Sequence, residues 1–216
     1  MGWKIECVVV GPIQCNCYIL SESVSGQGYL IDPGAESEEL MNFLRTRRFQ
    51  LQGILITHAH IDHVGGIEQI RKEMSVPVYL HEADRFLFDD VAMQARMFGV
   101  EPQDLEAVQP KSPDGKLEHE QIFRISGGEM RAIHTPGHTP GSICFQATGE
   151  QEIVFTGDTL FEGSIGRTDL WGGSYEQIMT SIRNRLMNLE DRVHVLPGHG
   201  GPTTIGEERH TNPFLR

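Results

Sequence analysis

The stretch Gly53-Ile54-Leu55-Ile56-Thr57-His58-Ala59-His60-Ile61-Asp62-His63 decides how this chain is read. Its first half is an apolar run opened by Gly, the mark of a short buried strand. Its second half places three His and one Asp within positions 58–63. His residues two apart at a strand end can point into one site from a tight turn. Asp62 and His63 fall at the start of a helix whose apolar face carries Val64, Ile67, Ile70 and Met74, so they can face a second position. Imidazole plus carboxylate is a ligand set for zinc, iron or manganese. The plain alternative, a polar loop with surface His, leaves the clustering without a reason.

Three further motifs follow apolar strands. In His134-Thr-Pro-Gly-His138-Thr-Pro-Gly141, Gly and Pro fix a rigid turn that can aim His138 inward, while His134 ends the strand and reads as a packing or hydrogen-bonding residue. Thr156-Gly157-Asp158-Thr159 offers a carboxylate able to bridge two ions, and Pro197-Gly198-His199-Gly200-Gly201 offers another imidazole. Each of these last two is, alone, explained by a Gly-rich turn. Together the motifs supply seven candidate ligands at strand ends: His58, His60, Asp62, His63, His138, Asp158 and His199. That set can hold two adjacent divalent ions with places left for water. Two such ions roughly 3.5–4 Å apart can share a water and bring its pKa towards neutrality. Asp62 can orient that nucleophile as well as bind metal. The chain has no Gly-x-Ser-x-Gly elbow.

Around the motifs, strands are expected at Ile5–Val10, Cys17–Leu20, Gly28–Ile31, Val76–Leu80, Gln121–Ile125, Met130–His134, Ser142–Ala147, Glu152–Phe155 and Val193–Leu196. Ser37 and Ser174 open helices, the second with the apolar stripe Ile178, Ile182, Leu186, Leu189; Thr204 with Glu207 is another capping-box spacing. Residues 82–120 read as helical pieces followed by a loop, and the Met- and Phe-rich run Phe86–Phe98 as either core or the wall of a substrate pocket. The order is α/β, sheets covered by helices, in one domain over residues 1–216.

Composition narrows the function. Asp and Glu outnumber Lys and Arg 30 to 18, a net charge of -12. Such a surface repels phosphate backbones and anionic lipid, so neither nucleic acid nor membrane is an expected partner. No apolar run approaches the roughly 20 residues of a membrane span, and the N-terminus lacks a secretory pattern, so a cytoplasmic location is expected. The four Cys are too few for a disulfide scaffold and read as buried thiols.

The four motifs, with Tyr29-Leu-Ile-Asp32-Pro33-Gly34, resemble the metallo-β-lactamase superfamily over nearly the whole chain. The resemblance implies a four-layer αβ/βα sandwich with a dinuclear site at one edge of its two sheets. It implies that His58, His60 and His138 bind one ion, that Asp62, His63 and His199 bind the other, and that Asp158 bridges them. Asp32 is then a neighbour of the site rather than a ligand, or simply a turn residue before Pro33. Gly157-Asp158-Thr-Leu-Phe161 with Gly166-Arg167-Thr168-Asp169 is similar to the glyoxalase II branch, whose members hydrolyse hydroxyacyl-glutathione thioesters. The chain departs from full-length members in two ways: the C-terminal helical domain that holds glutathione is not expected here, and Gly200-Gly201 stands where they have Glu-Tyr. The short bacterial glyoxalase II-like proteins fit better. The resemblance implies a small-molecule thioester substrate, two divalent ions with zinc first and iron or manganese as alternatives, and Arg167 either as a contact to the substrate or as a structural loop residue. Persulfide dioxygenases share the fold, the Gly-Arg-Thr-Asp motif and a tail like Ile205-Gly-Glu207-Glu208-Arg209-x-x-Asn212-Pro213. They imply a second reading, one iron held by His58, His138 and Asp158. Hydrolysis of another ester or lactone is a third.

Overall fold

The computed structural model describes residues 2–47, 49–97, 99, 109–125, 127–149 and 151–216. Two six-stranded sheets form the body. The first runs in spatial order through β1 (Trp3–Val10), β2 (Cys15–Glu22), β3 (Gln27–Ile31), β4 (Gln50–Leu55), β5 (Val78–His81) and β6 (Gly115–Leu117). The first three strands are antiparallel and the rest pair in parallel. Parallel neighbours need crossovers, which are α1 (Glu38–Arg47), then α2 (Ile61–Val64) with α3 (Ile67–Glu73), then α4 (Arg85–Phe88) with α5 (Val91–Met97).

The second sheet contains β7 (Ile122–Ile125), β8 (Gly128–His134), β9 (Ile143–Thr148), β10 (Glu152–Gly157), β13 (His194–Pro197) and β14 (Thr203–Thr204), with the last as its edge beside β13 and β7 as the opposite edge. The hairpin of β11 (Leu160–Phe161) and β12 (Ser164–Ile165) stands apart. The crossover from β10 to its parallel neighbour β13 carries α6 (Tyr175–Ser181), continued by a π-helical turn Ile182–Leu186; α7 (Ile205–Thr211) follows β14.

Strand alternation explains the layering. Ile54 and Ile56 face a core shared with the helices Leu40, Met41, Leu44, Ile67 and Ile70 belong to, while Leu55 faces the other way. There it joins Leu20, Ile31, Phe123, Phe145 and Phe155 in a core made from both sheets. On the far side, Ile133, Cys144 and Val154 meet Ile178, Ile182, Leu186 and Ile205. Three apolar layers separate four layers of structure, the αβ/βα sandwich.

Several expected elements need correction. β2 reaches from Cys15 to Glu22 because it pairs along its full length with β1. β6, β14 and the β11–β12 hairpin were not expected. The helix expected to carry Val64 to Met74 is two helices. It breaks at Gly65-Gly66, where the chain passes under the loop after β3 and Gly66 N–H donates to Pro33 O at 2.8 Å. A Cβ at Gly66 would lie 2.4 Å from Ala35 O, so only Gly fits. Cys15, Cys17 and Cys144 are buried thiols, but Cys7 is exposed, because β1 is the edge strand of its sheet. In the Phe86–Phe98 run, Leu87 and Phe88 enter the core while Phe86, Met93 and Met97 are exposed; Phe98 lies outside the described residues. Among the described residues no helix is long and apolar enough to cross a membrane.

Candidate metal centre

The seven candidate ligands leave the sheets at one edge. His58, His60, Asp62 and His63 follow β4, His138 lies in the β8–β9 turn, Asp158 follows β10 and His199 follows β13. The structure brings all seven together: His58, His60 and His138 form one cluster, Asp62, His63 and His199 a second, and His58, His63 and Asp158 a group that joins the two. In the first, His58 Nε2 and His60 Nδ1 are 3.1 Å apart, His138 Nε2 is 3.1 Å from His58 Nε2, and it is 3.0 Å from His60 Nδ1. The three rings stand nearly perpendicular to one another, at 81° to 90°. In the second cluster Asp62 Oδ2 lies 3.2 Å from His199 Nε2 and 3.7 Å from His63 Nε2. Asp158 faces both clusters. Its Oδ2 is 3.6 Å from His138 Nε2, and its Oδ1 is 3.5 Å from His63 Nε2 and 3.7 Å from His199 Nε2.

Backbone carbonyls and a carboxylate hold the far ring nitrogens of His63, His138 and His199. His138 Nδ1 donates to Arg167 O at 2.7 Å and His199 Nδ1 to Gln14 O at 3.1 Å. His63 Nδ1 donates to Asp32 Oδ2 at 2.9 Å. Each of these contacts puts the proton on Nδ1 and leaves the Nε2 lone pair aimed at the cluster. Asp32 is buried and sits at φ 52°, so it is both a turn residue and a neighbour of the site. Its oxygens also accept from Thr57 N–H at 2.8 Å and Thr57 Oγ1 at 2.6 Å.

The donor set fits cations. Buried His63 Nε2 and Asp158 Oδ1 have no hydrogen-bond partner. Three imidazole nitrogens crowd within 3.1 Å of one another in the first cluster. Around an ion with bonds of ~2.0–2.1 Å, tetrahedral ligands stand about 3.3–3.4 Å apart, close to that crowding. Space has been kept as well: a Cβ at Gly198 would lie 2.4 Å from Asp158 Oδ1.

In the metal-free protein the clusters titrate in opposite directions. Burial, reinforced by the neighbouring His rings, presses His58 well below the ordinary imidazole value and takes His60 to about 3. Burial lowers His138 too. In the second cluster burial also acts downward but is outweighed. Cys15 and the carboxylates of Asp158, Asp62 and Asp32 raise His63 well above its usual value, and Asp62 and Asp158 raise His199. Burial would raise the Asp62 carboxyl, yet His63 and His199 hold it well below the usual range. At neutral pH the first cluster is therefore deprotonated, while the His63 imidazole of the second holds its proton more tightly than usual. We expect the first ion to enter with little proton release and the second to displace more, so that acid weakens the second site first. Calorimetric titration in buffers of different ionisation heat measures this; equal release in both steps would contradict it.

Two residues that carry no motif position the ligand loop. Asp84, fully buried after β5, accepts from Ala59 N–H at 3.0 Å, Thr139 Oγ1 at 2.7 Å and Gly141 N–H at 2.6 Å. It straps the loop of His58 and His60 to the turn of His138. Burial raises its carboxyl to about 6 against these three hydrogen bonds. Gln94 of α5 accepts from Ile61 N–H at 3.0 Å and donates to Ala59 O at 2.9 Å and Leu87 O at 3.0 Å. An acidic residue just past a strand end, as Asp84 is, was a readable signal; Gln94 had none. Asp84→Asn turns one acceptor into a donor and leaves at least one buried N–H unmatched. We expect a loss of about 1–3 kcal/mol, read by urea unfolding of the metal-free protein. An unchanged midpoint would show that the strap contributes nothing.

A cavity of about 340 Å³ opens over the clusters, lined beyond the candidate ligands by Ile13, Gln94, Arg167, Leu170 and Trp171. Arg167 is exposed, and its Nε and Nη2 donate to Asp169 at 2.7 and 2.8 Å. Its guanidinium is thus engaged by a carboxylate rather than by loop carbonyls, while its own carbonyl holds His138. The tail has a packing role: buried Glu208 accepts from Gly163 N–H at 3.0 Å and Thr203 Oγ1 at 2.8 Å, and Asn212 donates to Ser164 O at 3.1 Å, bracing the β11–β12 hairpin that leads to Arg167. His134 stacks on His81 at 4.1 Å and lies within 2.8 Å of Pro140 O, a structural placement.

Comparison with known proteins agrees with this geometry. The sequence model of the Metallo-beta-lactamase superfamily matches residues 10–199. The chain is 38% identical to the hydroxyacylglutathione hydrolase GloC of Haemophilus influenzae, over 98% of both chains. Among solved structures, BLEG-1 B3 metallo-beta-lactamase superposes with TM-score 0.88 at 38% identity, covering 98% of this chain and 99% of that one. TTHA1623 in a di-iron-bound form gives 0.83 at 38% identity, covering 97% and 100%.

Proposed function

The chain belongs to the metallo-beta-lactamase superfamily and is a metallo-hydrolase of it, and from that premise we propose that it cleaves thioesters of the hydroxyacyl-glutathione kind at a two-metal centre. The observation that carries the proposal is Asp158, with one oxygen turned to each of two ligand clusters. His58, His60 and His138 would hold one ion, Asp62, His63 and His199 the other, and Asp158 both. Zinc suits this nitrogen-and-oxygen set, and iron or manganese are the alternatives. When bound, the pair supplies a water activated at neutral pH and an electrophilic seat for the carbonyl oxygen.

The chain's own residues supply the rest. Asp62, held ionised by His63 and His199, can accept a hydrogen bond from the attacking water and set its direction. Asp32, Arg167 O and Gln14 O keep His63, His138 and His199 in one tautomer. A thiolate leaves without a dedicated acid, in keeping with a described cavity wall that adds no His or carboxylate to the proposed ligands. Arg167 would meet the substrate only at the rim, its charge already shared with Asp169. Arg167→Ala should therefore raise KM modestly, about two- to threefold, with kcat little changed, the sign of lost uniform binding. A tenfold fall in kcat would instead show that the loop moves His138.

The test is a substrate panel on zinc-loaded protein: glutathione thioesters, a β-lactam, and glutathione persulfide with oxygen uptake on iron-loaded protein. Thioester cleavage as the fastest reaction supports the proposal. Oxygen consumption without thioester cleavage, or faster β-lactam opening, would overturn it.

A further inference from the structure

The cavity wall nearest the ligand clusters is apolar and rigidly mounted. Trp171, half-buried and packed on the core under the first sheet, stands edge-on to the His60 ring with centroids 6.1 Å apart. Leu170 precedes it in a turn closed by Gly173 N–H donating to Leu170 O at 2.8 Å. Facing the cavity from the β1–β2 connection is Ile13, a large side chain left 42% exposed. Its turn is tied down on both sides: Gln14 N–H donates to Gly11 O at 3.2 Å, and Gln14 O receives His199 Nδ1. Asn16 then donates to Pro197 O at 2.9 Å and Gly200 O at 3.0 Å.

The polar groups on the same wall are already occupied. Both ends of the Gln94 amide are used by the ligand-loop backbone and Leu87 O, and the Arg167 fork is closed by Asp169. Among the described residues, the lining beyond the candidate ligands therefore offers no unpaired charge to a substrate carboxylate. An apolar wall with satisfied polar neighbours selects for apolar groups, because a polar group seated there leaves water and gains no partner.

We infer that Ile13, Leu170 and Trp171 form a specificity pocket for an apolar substituent, aromatic or branched aliphatic, flanking the carbonyl that is cleaved. The inference rests on the hydrolytic reading of the same centre. It moves recognition from the charged ends of the thiol to the group beside the reacting atom. That group can belong to the acyl or to the thiol half, and the experiment separates the two.

Two thioester series are compared on zinc-loaded protein: phenylacetyl against acetyl on one hydrophilic thiol, and benzyl against hydroxyethyl thiol on one acetyl group. The apolar member of one series should have the higher kcat/KM, by about tenfold. Trp171→Ala should abolish that preference, read as the ratio of kcat/KM between the two members of the series. Ile13→Ser, on an exposed turn, should reduce the preference partway. It serves as the second variant should loss of Trp171 unsettle the fold. Direct binding of the products, phenylacetate against acetate and benzyl mercaptan against 2-mercaptoethanol, is read in parallel by calorimetry. If no thioester is cleaved, the proposed function fails, yet tighter binding of an apolar product that depends on Trp171 still supports the pocket. Equal rates and equal binding within both series, or a preference untouched by both substitutions, would overturn it.

Discussion

Asp158→Ala should strip the centre of its shared ligand and lower activity by at least about 10³-fold, beyond the 10–100-fold that follows loss of an outer-shell partner. The reason lies in its two oxygens. Oδ2 faces His138 and Oδ1 faces His63 and His199, so one side chain would offset charge on both ions of a loaded centre. Without it, two cations a few ångströms apart would repel with less to screen them. Metal content after purification, compared with wild type, should drop at both positions. Asp158→Asn keeps the volume and one acceptor and should retain more metal than Ala. Full retention of two ions by the Ala variant would remove Asp158 from the bridging position.

Asp32 gives the second large effect, and it acts at a distance from the substrate. Its carboxylate holds the proton on His63 Nδ1 while accepting both the N–H and the hydroxyl of Thr57. In Asp32→Asn an amide must present N–H either to Thr57 N–H or to His63 Nδ1. The first pairs donor with donor. The second favours the His63 tautomer with its proton on Nε2, where the ion would bind. Affinity for the second ion should fall by about 10–100-fold, with the His58, His60 and His138 position largely retained. Stepwise titration of metal-free protein against a chromophoric chelator reads the two affinities separately. Equal weakening of both sites would mean that Asp32 supports the fold rather than His63.

The candidate ligands were legible because metal chemistry restricts residue types, and because the turns that carry them are written locally, in His-x-His-x-Asp-His and in Gly-Pro pairs after apolar runs. The layers were legible for a similar reason: alternation along Ile54, Leu55 and Ile56 already sends side chains to two cores. What stayed hidden is non-local. Asp84 meets Thr139 and Gly141 only after two crossovers bring β5 beside the β8–β9 turn, and Gln94 reaches Ala59 from a helix whose sequence reads as generic core. Strands as short as β14 and β11 hold too few residues to show a period. The break at Gly65-Gly66 is masked in the sequence by apolar spacing that continues across it. Only the proximity of the loop after β3, at Pro33 and Ala35, forbids one helix. Arg167 is expected either at the substrate or as a structural loop residue, and Gly166-Arg167-Thr168-Asp169 does not say by itself that the guanidinium closes on its own neighbour Asp169.

The central claim, a two-metal thioester hydrolase, meets its most direct test in one titration. Metal-free protein receives zinc in steps while hydrolysis of a glutathione thioester and bound metal are followed together. The account predicts that activity stays low through the first equivalent, rises with the second and levels off at two ions per chain. Full activity at one ion per chain, or none at two, would contradict it.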